Sequence, residues 1–114
     1  HRALAVSQVA RYGRATAKPG RGAELADVLL AAAAELEDDP GCLLYLVNRQ
    51  SDSPDVIWVT ELWRGQADLD ASLERIRGSS GVAEAMALVD DWQMTDALPV
   101  MVFISDCTDL PVDK

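Results

Sequence analysis

Apolar positions recur along the chain with two different periods. Leu25, Val28, Leu29, Ala32 and Leu36 are spaced i, i+3, i+4, i+7 and i+11, a single stripe that predicts a helix over residues 22–37. The four alanines at 31–34 lie inside it, where alanine has the best helix propensity. Leu69, Leu73 and Ile76 predict a second helix over 66–77. Val82, Ala85, Met86 and Val89 predict a third over 82–91, with Glu84 in its first turn, where the helix dipole favours a negative charge. Four other stretches read as strands: residues 6–17, 42–49, 56–63 and 98–105. Lys18-Pro19-Gly20, Asp38-Asp39-Pro40-Gly41 and Gly78-Ser79-Ser80-Gly81 separate these segments, since proline removes a backbone donor and glycine permits a turn. The order is β-α-β-β-α-(α)-β. It predicts an α+β chain of the ferredoxin-like split βαβ type, a four-stranded antiparallel sheet with its helices on one face.

The strands carry a second message. A sheet with one wet face alternates apolar and polar residues. Residues 42–47 are instead apolar without a break, as are 56–59 and 100–104. Successive side chains point to opposite faces, so both faces of this sheet are apolar. Helices on one face would leave about eight large side chains bare on the other, each worth about 1.5–3 kcal/mol when buried. A second copy of the chain, related by a two-fold axis, is the simplest cover. The polar tail at 106–114 is too short to replace it. The expectation is a homodimer joined through the sheet face.

Length and charge narrow the partners. The 114 residues make one domain, with a core over about 6–105 and a C-terminal tail at 106–114. A formal charge of −9 is spread over the chain with no long like-charge run, which argues against nucleic acid and anionic membranes as partners. No stretch is long and apolar enough to span a bilayer, and the first residues lack the apolar core of an export signal, so a cytoplasmic location is expected. The two cysteines, Cys42 and Cys107, are then expected as free thiols. The chain shows no grouping of His, Cys or carboxylates at metal-ligand spacing, no phosphate-binding glycine loop and no Ser-His-Asp set, and its one histidine is His1.

Four features in order resemble the antibiotic biosynthesis monooxygenase family: Lys18-Pro19-Gly20 after the first strand, Asp39-Pro40-Gly41-Cys42 before the second, Glu61-Leu62-Trp63 closing the third, and Leu69, Ser80 and Val82 in the helical stretch that follows. The resemblance runs from about Val9 to Val89. It implies a dimeric α+β barrel with a pocket between sheet and helices in each protomer. It also implies oxygenases that need no cofactor and turn polycyclic phenols into quinones. A haem-degrading branch of the family matches at Trp63, but its strand asparagine falls near Gly13 and its axial histidine near Ala87, with only Met86 adjacent. Many members carry a helical histidine where this chain has Ser72, which cannot act unaided as a general base.

These residues define the candidate site. Trp63 could stack on a flat phenolic ring or plug the gap between sheet and helix. Glu61, two residues earlier on the same face, could take a phenol proton or pair with Arg11 or Arg14. Arg11, Tyr12 and Arg14 stand in an otherwise apolar strand, where an arginine could hold a phenolate or guard an edge. Tyr45, Ser72 and Met86 complete a substrate-binding set, Tyr45 being a hydrogen-bond donor or a core residue. The expected activity is a cofactor-independent monooxygenase, or related cyclase, acting on an aromatic polyketide-like molecule. The alternative is a non-catalytic dimeric module that binds a small hydrophobic ligand.

Overall fold

The computed structural model describes residues 2–4 and 7–103. The chain runs β1 (Arg2–Leu4), β2 (Val9–Ala17), α1 (Gly22–Leu36), β3 (Cys42–Gln50), β4 (Ser53–Trp63), α2 (Gln66–Ile76), α3 (Ser80–Leu88), β5 (Val89–Ala97) and β6 (Met101–Phe103). Strands β2 to β5 form one antiparallel four-stranded sheet in the order β3-β4-β2-β5, the ferredoxin-like arrangement. β1 and β6 pair separately as a two-stranded ribbon.

The structure departs from the expected elements at α3 and at the fourth strand. The third helix ends at Leu88, not Asp91, and the chain turns directly into β5. The sheet's fourth strand is Val89–Ala97, whereas the apolar run expected in that place contributes only β6, outside the sheet. β5 is an edge strand with little buried surface, so its sequence is polar, and the greasier segment after it carries the stronger strand signal. Residues 104 and 105, the tail at 106–114 with Cys107, and residues 5 and 6 lie outside the described residues.

α1 covers β3 and β4 and packs on α3. The core beneath it joins Ala15, Ala17, Ile57 and Val59 from the sheet to Leu25, Ala26 and Leu29 of α1 and Leu88 of α3. A smaller cluster of Val9, Trp63 and Leu69 closes the sheet against α2. The start of α1 is finished from elsewhere in the chain. Arg21 supplies no side-chain cap, and the Asp55 carboxylate at the head of β4 instead accepts the backbone N–H groups of Gly20 and Gly22, both at 2.9 Å. Gly20 sits at φ +78°, in the left-handed region. A Cβ on Gly22 would run into the Pro54 carbonyl and Asp55. These bonds hold the Asp55 carboxyl below its ordinary range.

No helix among the described residues is long and apolar enough to cross a membrane.

Candidate functional site

Strand alternation and register assemble the site. Arg11 stands opposite Glu61 on one side and Asp96 on the other, and Tyr45 stands opposite Glu61. One row of polar side chains, Tyr45-Glu61-Arg11-Asp96, therefore crosses the four strands on the helix-covered face. The rows on either side of it are apolar: Val47, Val59, Gly13 and Met94 on one, Trp63 and Val9 on the other. The place Gly13 leaves free is taken by Met94, whose Cε and Sδ would lie 3.0 and 3.4 Å from a Cβ there.

Glu61 is 6% exposed and Trp63 1%. They are bonded to each other, the Trp63 Nε1–H donating to Glu61 Oε1 at 2.9 Å. Burial pushes the Glu61 carboxyl above its ordinary value, against the pull of that bond and of Arg11, and Asp96 adds to the rise. Tyr45 is pushed up to about 12, chiefly by burial and then by the charge of Glu61, so it remains a neutral donor. Burial, followed by Glu61 and Asp39, also raises the Cys42 thiol, which is a free cysteine. Arg11 donates its Nε–H to Asp96 Oδ1 at 3.0 Å, and among the described residues Arg11 and Glu61 form no ion pair. The pairing of Glu61 with an arginine, weighed from the sequence, is thus replaced by its bond to Trp63.

A cavity of about 320 Å³ lies where β2 begins and β5 ends, lined by Val9, Ala10, Gln66, Leu69, Asp96, Ala97 and Leu98. It shares Asp96 with the polar row, and its walls Val9 and Leu69 pack on Trp63 from the far side. Trp63 itself is buried in the core and does not line this space.

The other sequence candidates separate. Arg14 lies on the opposite face of the sheet from Glu61, one residue out of phase with Arg11. There its guanidinium sits 5.8 Å from the centroid of the Trp58 ring and 3.8 Å from Asp91. Ser72 is buried on α2, and Met86 is 56% exposed on α3, lining neither this cavity nor the groove between α1 and α3. Leu73, also exposed, does not fill the space beside Trp63. Asp96 was not singled out from the sequence. The alternation Trp92, Met94, Asp96 would have placed it on the inner face once residues 89–97 were recognised as a strand. Among the described residues no group of three His, Cys, Asp or Glu side chains could hold a metal ion.

Comparison with known proteins agrees with this architecture. Proteins of curated function give no match. Solved structures do. A candidate antibiotic biosynthesis monooxygenase from Chloroflexus aurantiacus is 29% identical with a TM-score of 0.72, over 82% of this chain and 94% of that one. Another from Caulobacter crescentus shares the fold at 20% identity and TM-score 0.76, over 85% and 93%. Rv0793 of Mycobacterium tuberculosis does so at 21% and 0.74, over 82% and 96%. The family model for antibiotic biosynthesis monooxygenases matches residues 9–77, which takes in β2, α1, β3, β4 and α2 and so three members of the polar row. The chain belongs to the antibiotic biosynthesis monooxygenase family.

Proposed function

We propose that the protein is a cofactor-independent monooxygenase acting on an aromatic polyketide-like small molecule. The observation that supports this reading is the buried carboxylate of Glu61, set in a polar row between two apolar rows and raised in proton affinity. A base tuned upward by burial suits removal of a weakly acidic proton near neutral pH. In the reaction Glu61 takes a proton from an activated ring CH2 or phenol. The resulting anion passes electrons to O2, a C–O bond forms, and the proton returns to the new peroxide. Loss of water leaves a carbonyl. One oxygen atom enters the product, the other leaves as water, and the substrate supplies all the electrons. Arg11 and Tyr45 flank Glu61 across the sheet, a cation and a neutral donor suited to a developing oxyanion. Trp63 orients the base through its indole N–H.

The working unit is a homodimer joined through the uncovered face of the sheet, where Tyr12, Leu44, Leu46 and Trp58 are exposed. Each protomer keeps its own polar row.

The second reading, a non-catalytic dimeric module that binds a small hydrophobic ligand, draws support from the cavity wall. Neither Glu61 nor Trp63 lines it, and apart from Gln66 and Asp96 it is apolar. Oxygen uptake with anthrone-type phenols separates the two. Turnover by the parent that falls about 10²–10⁴-fold in Glu61→Gln supports the oxygenase. Ligand binding without uptake, in both proteins, supports the module.

A further inference from the structure

Arg11 has two carboxylates within its register, Glu61 on β4 and Asp96 on β5. It is bonded to only one. The Nε–H goes to Asp96 Oδ1 at 3.0 Å, although Asp96 is far more exposed than Arg11, with side chains 75% and 16% accessible. A largely buried guanidinium is thus held outward by a rim carboxylate, and the more buried carboxylate on its other side takes an indole N–H in place of an ion pair. We propose that Asp96 is a positioning residue, which draws Arg11 toward β5 and so keeps Glu61 free of an ionic partner and available as a base. The proposal rests on the reading of Glu61 as the proton acceptor.

The surroundings of Glu61 support it. The charged or titratable groups sharing its face are Arg11 from β2, Asp96 from β5, and Tyr45 and Cys42 from β3, with Trp63 on its own strand. The helices turn Leu25, Ala26 and Leu29 of α1, Leu69 and Ser72 of α2 and Leu88 of α3 inward, and none of these is charged. Arg11 is therefore the one cation of the row, and its place tempers the proton affinity that burial gives Glu61. A guanidinium released from Asp96 would turn to Glu61, the next carboxylate in register, and stabilise its charged form.

The test reads Glu61 without needing turnover. Trp63 donates directly to the Glu61 carboxylate, so its indole ¹⁵N–¹H cross-peak, assigned by its loss in Trp63→Phe, follows the titration of that carboxyl. The parent midpoint is expected above that of an ordinary glutamate. Asp96→Asn is expected to lower the proton affinity of Glu61 about three-fold or more, and Asp96→Glu to restore it. In an Arg11→Gln background the effect of Asp96→Asn is expected to shrink to the direct charge effect of Asp96 on Glu61 alone, the mark of action through Arg11. Asp91→Asn, which removes the ion partner of Arg14 on the other face, leaves the midpoint in place. A midpoint that stays or rises in Asp96→Asn, or that falls equally with Arg11 absent, overturns the proposal. Normal titration shifts without oxygen uptake would instead remove the oxygenase reading and leave the positioning role standing.

Discussion

The two faces of the sheet are made by the same strands and have opposite characters. On the helix-covered face, Ile57, Val59 and Trp63 are almost wholly buried, and the polar row of Tyr45, Glu61, Arg11 and Asp96 is set among apolar neighbours. On the other face, Tyr12, Leu44, Leu46 and Trp58 are exposed beside the half-buried Val56 and Leu62. The inner face spends burial on a few polar groups held in exact register. The outer face keeps large apolar groups in reserve. A side chain's role follows from the parity of its position: Arg11 belongs to the site, and Arg14, three residues on, belongs to the outer face.

The contrast can be broken at several points. Trp63→Ala removes the largest fully buried side chain of the inner face and should cost about 3–5 kcal/mol of stability, read as a fall in the denaturant midpoint at unchanged slope. An outer-face charge, Leu46→Asp, should leave each protomer folded and weaken pairing by about 30-fold or more, about 2 kcal/mol, seen by light scattering over a dilution series. A parent that runs as a monomer would remove the role assigned to that face.

Glu61→Gln sharpens the comparison through pH. The folded-state pKa of Glu61 is raised by burial, so the native protein binds its proton more tightly than the unfolded chain does. This contribution to stability is fully present below the unfolded pKa and is lost as pH rises through the folded one. Thermal midpoints should thus show Glu61→Gln losing that downward component and gaining on the parent toward neutral pH. Asp68 and Glu24, lowered by their arginine partners, act in the opposite sense: their contributions are present above the unfolded pKa and fade as pH falls. The smallest effect is expected on the outer face, where Asp91→Asn removes a partly exposed ion pair at 3.8 Å and should change stability by no more than about 0.5 kcal/mol.

Most of the architecture was legible in the chain because its signals are local. The stripe from Leu25 to Leu36 gave α1 to within a residue, and the unbroken apolar runs of β3 and β4 disclosed a two-sided sheet. The fourth strand was not legible. Trp92 and Met94 alternate with Asp91, Gln93 and Thr95, but an edge strand needs little burial and so gives a weak hydrophobic signal. The apolar residues at 101–103 are more strand-like by composition, yet pair with β1 in a separate ribbon. The site was half legible. Glu61 and Trp63 stand two apart on one strand, so their shared face could be read directly. The partnership of Arg11 with Asp96 depends on which strands adjoin and in what register, which no single segment encodes.

The capping of α1 by Asp55 ties together pieces of chain far apart in synthesis. Gly22 and the carboxylate that receives its N–H are 33 residues apart. When α1 first forms, its leading turn lacks its acceptor until β4 has paired with β2, where Val56 stands opposite Thr16, and brought Asp55 into place. Helix fraying and the opening of that strand pair then become a single event, and the amide hydrogens of Gly20 and Gly22 should exchange with solvent at the pace of the sheet rather than of a free helix end.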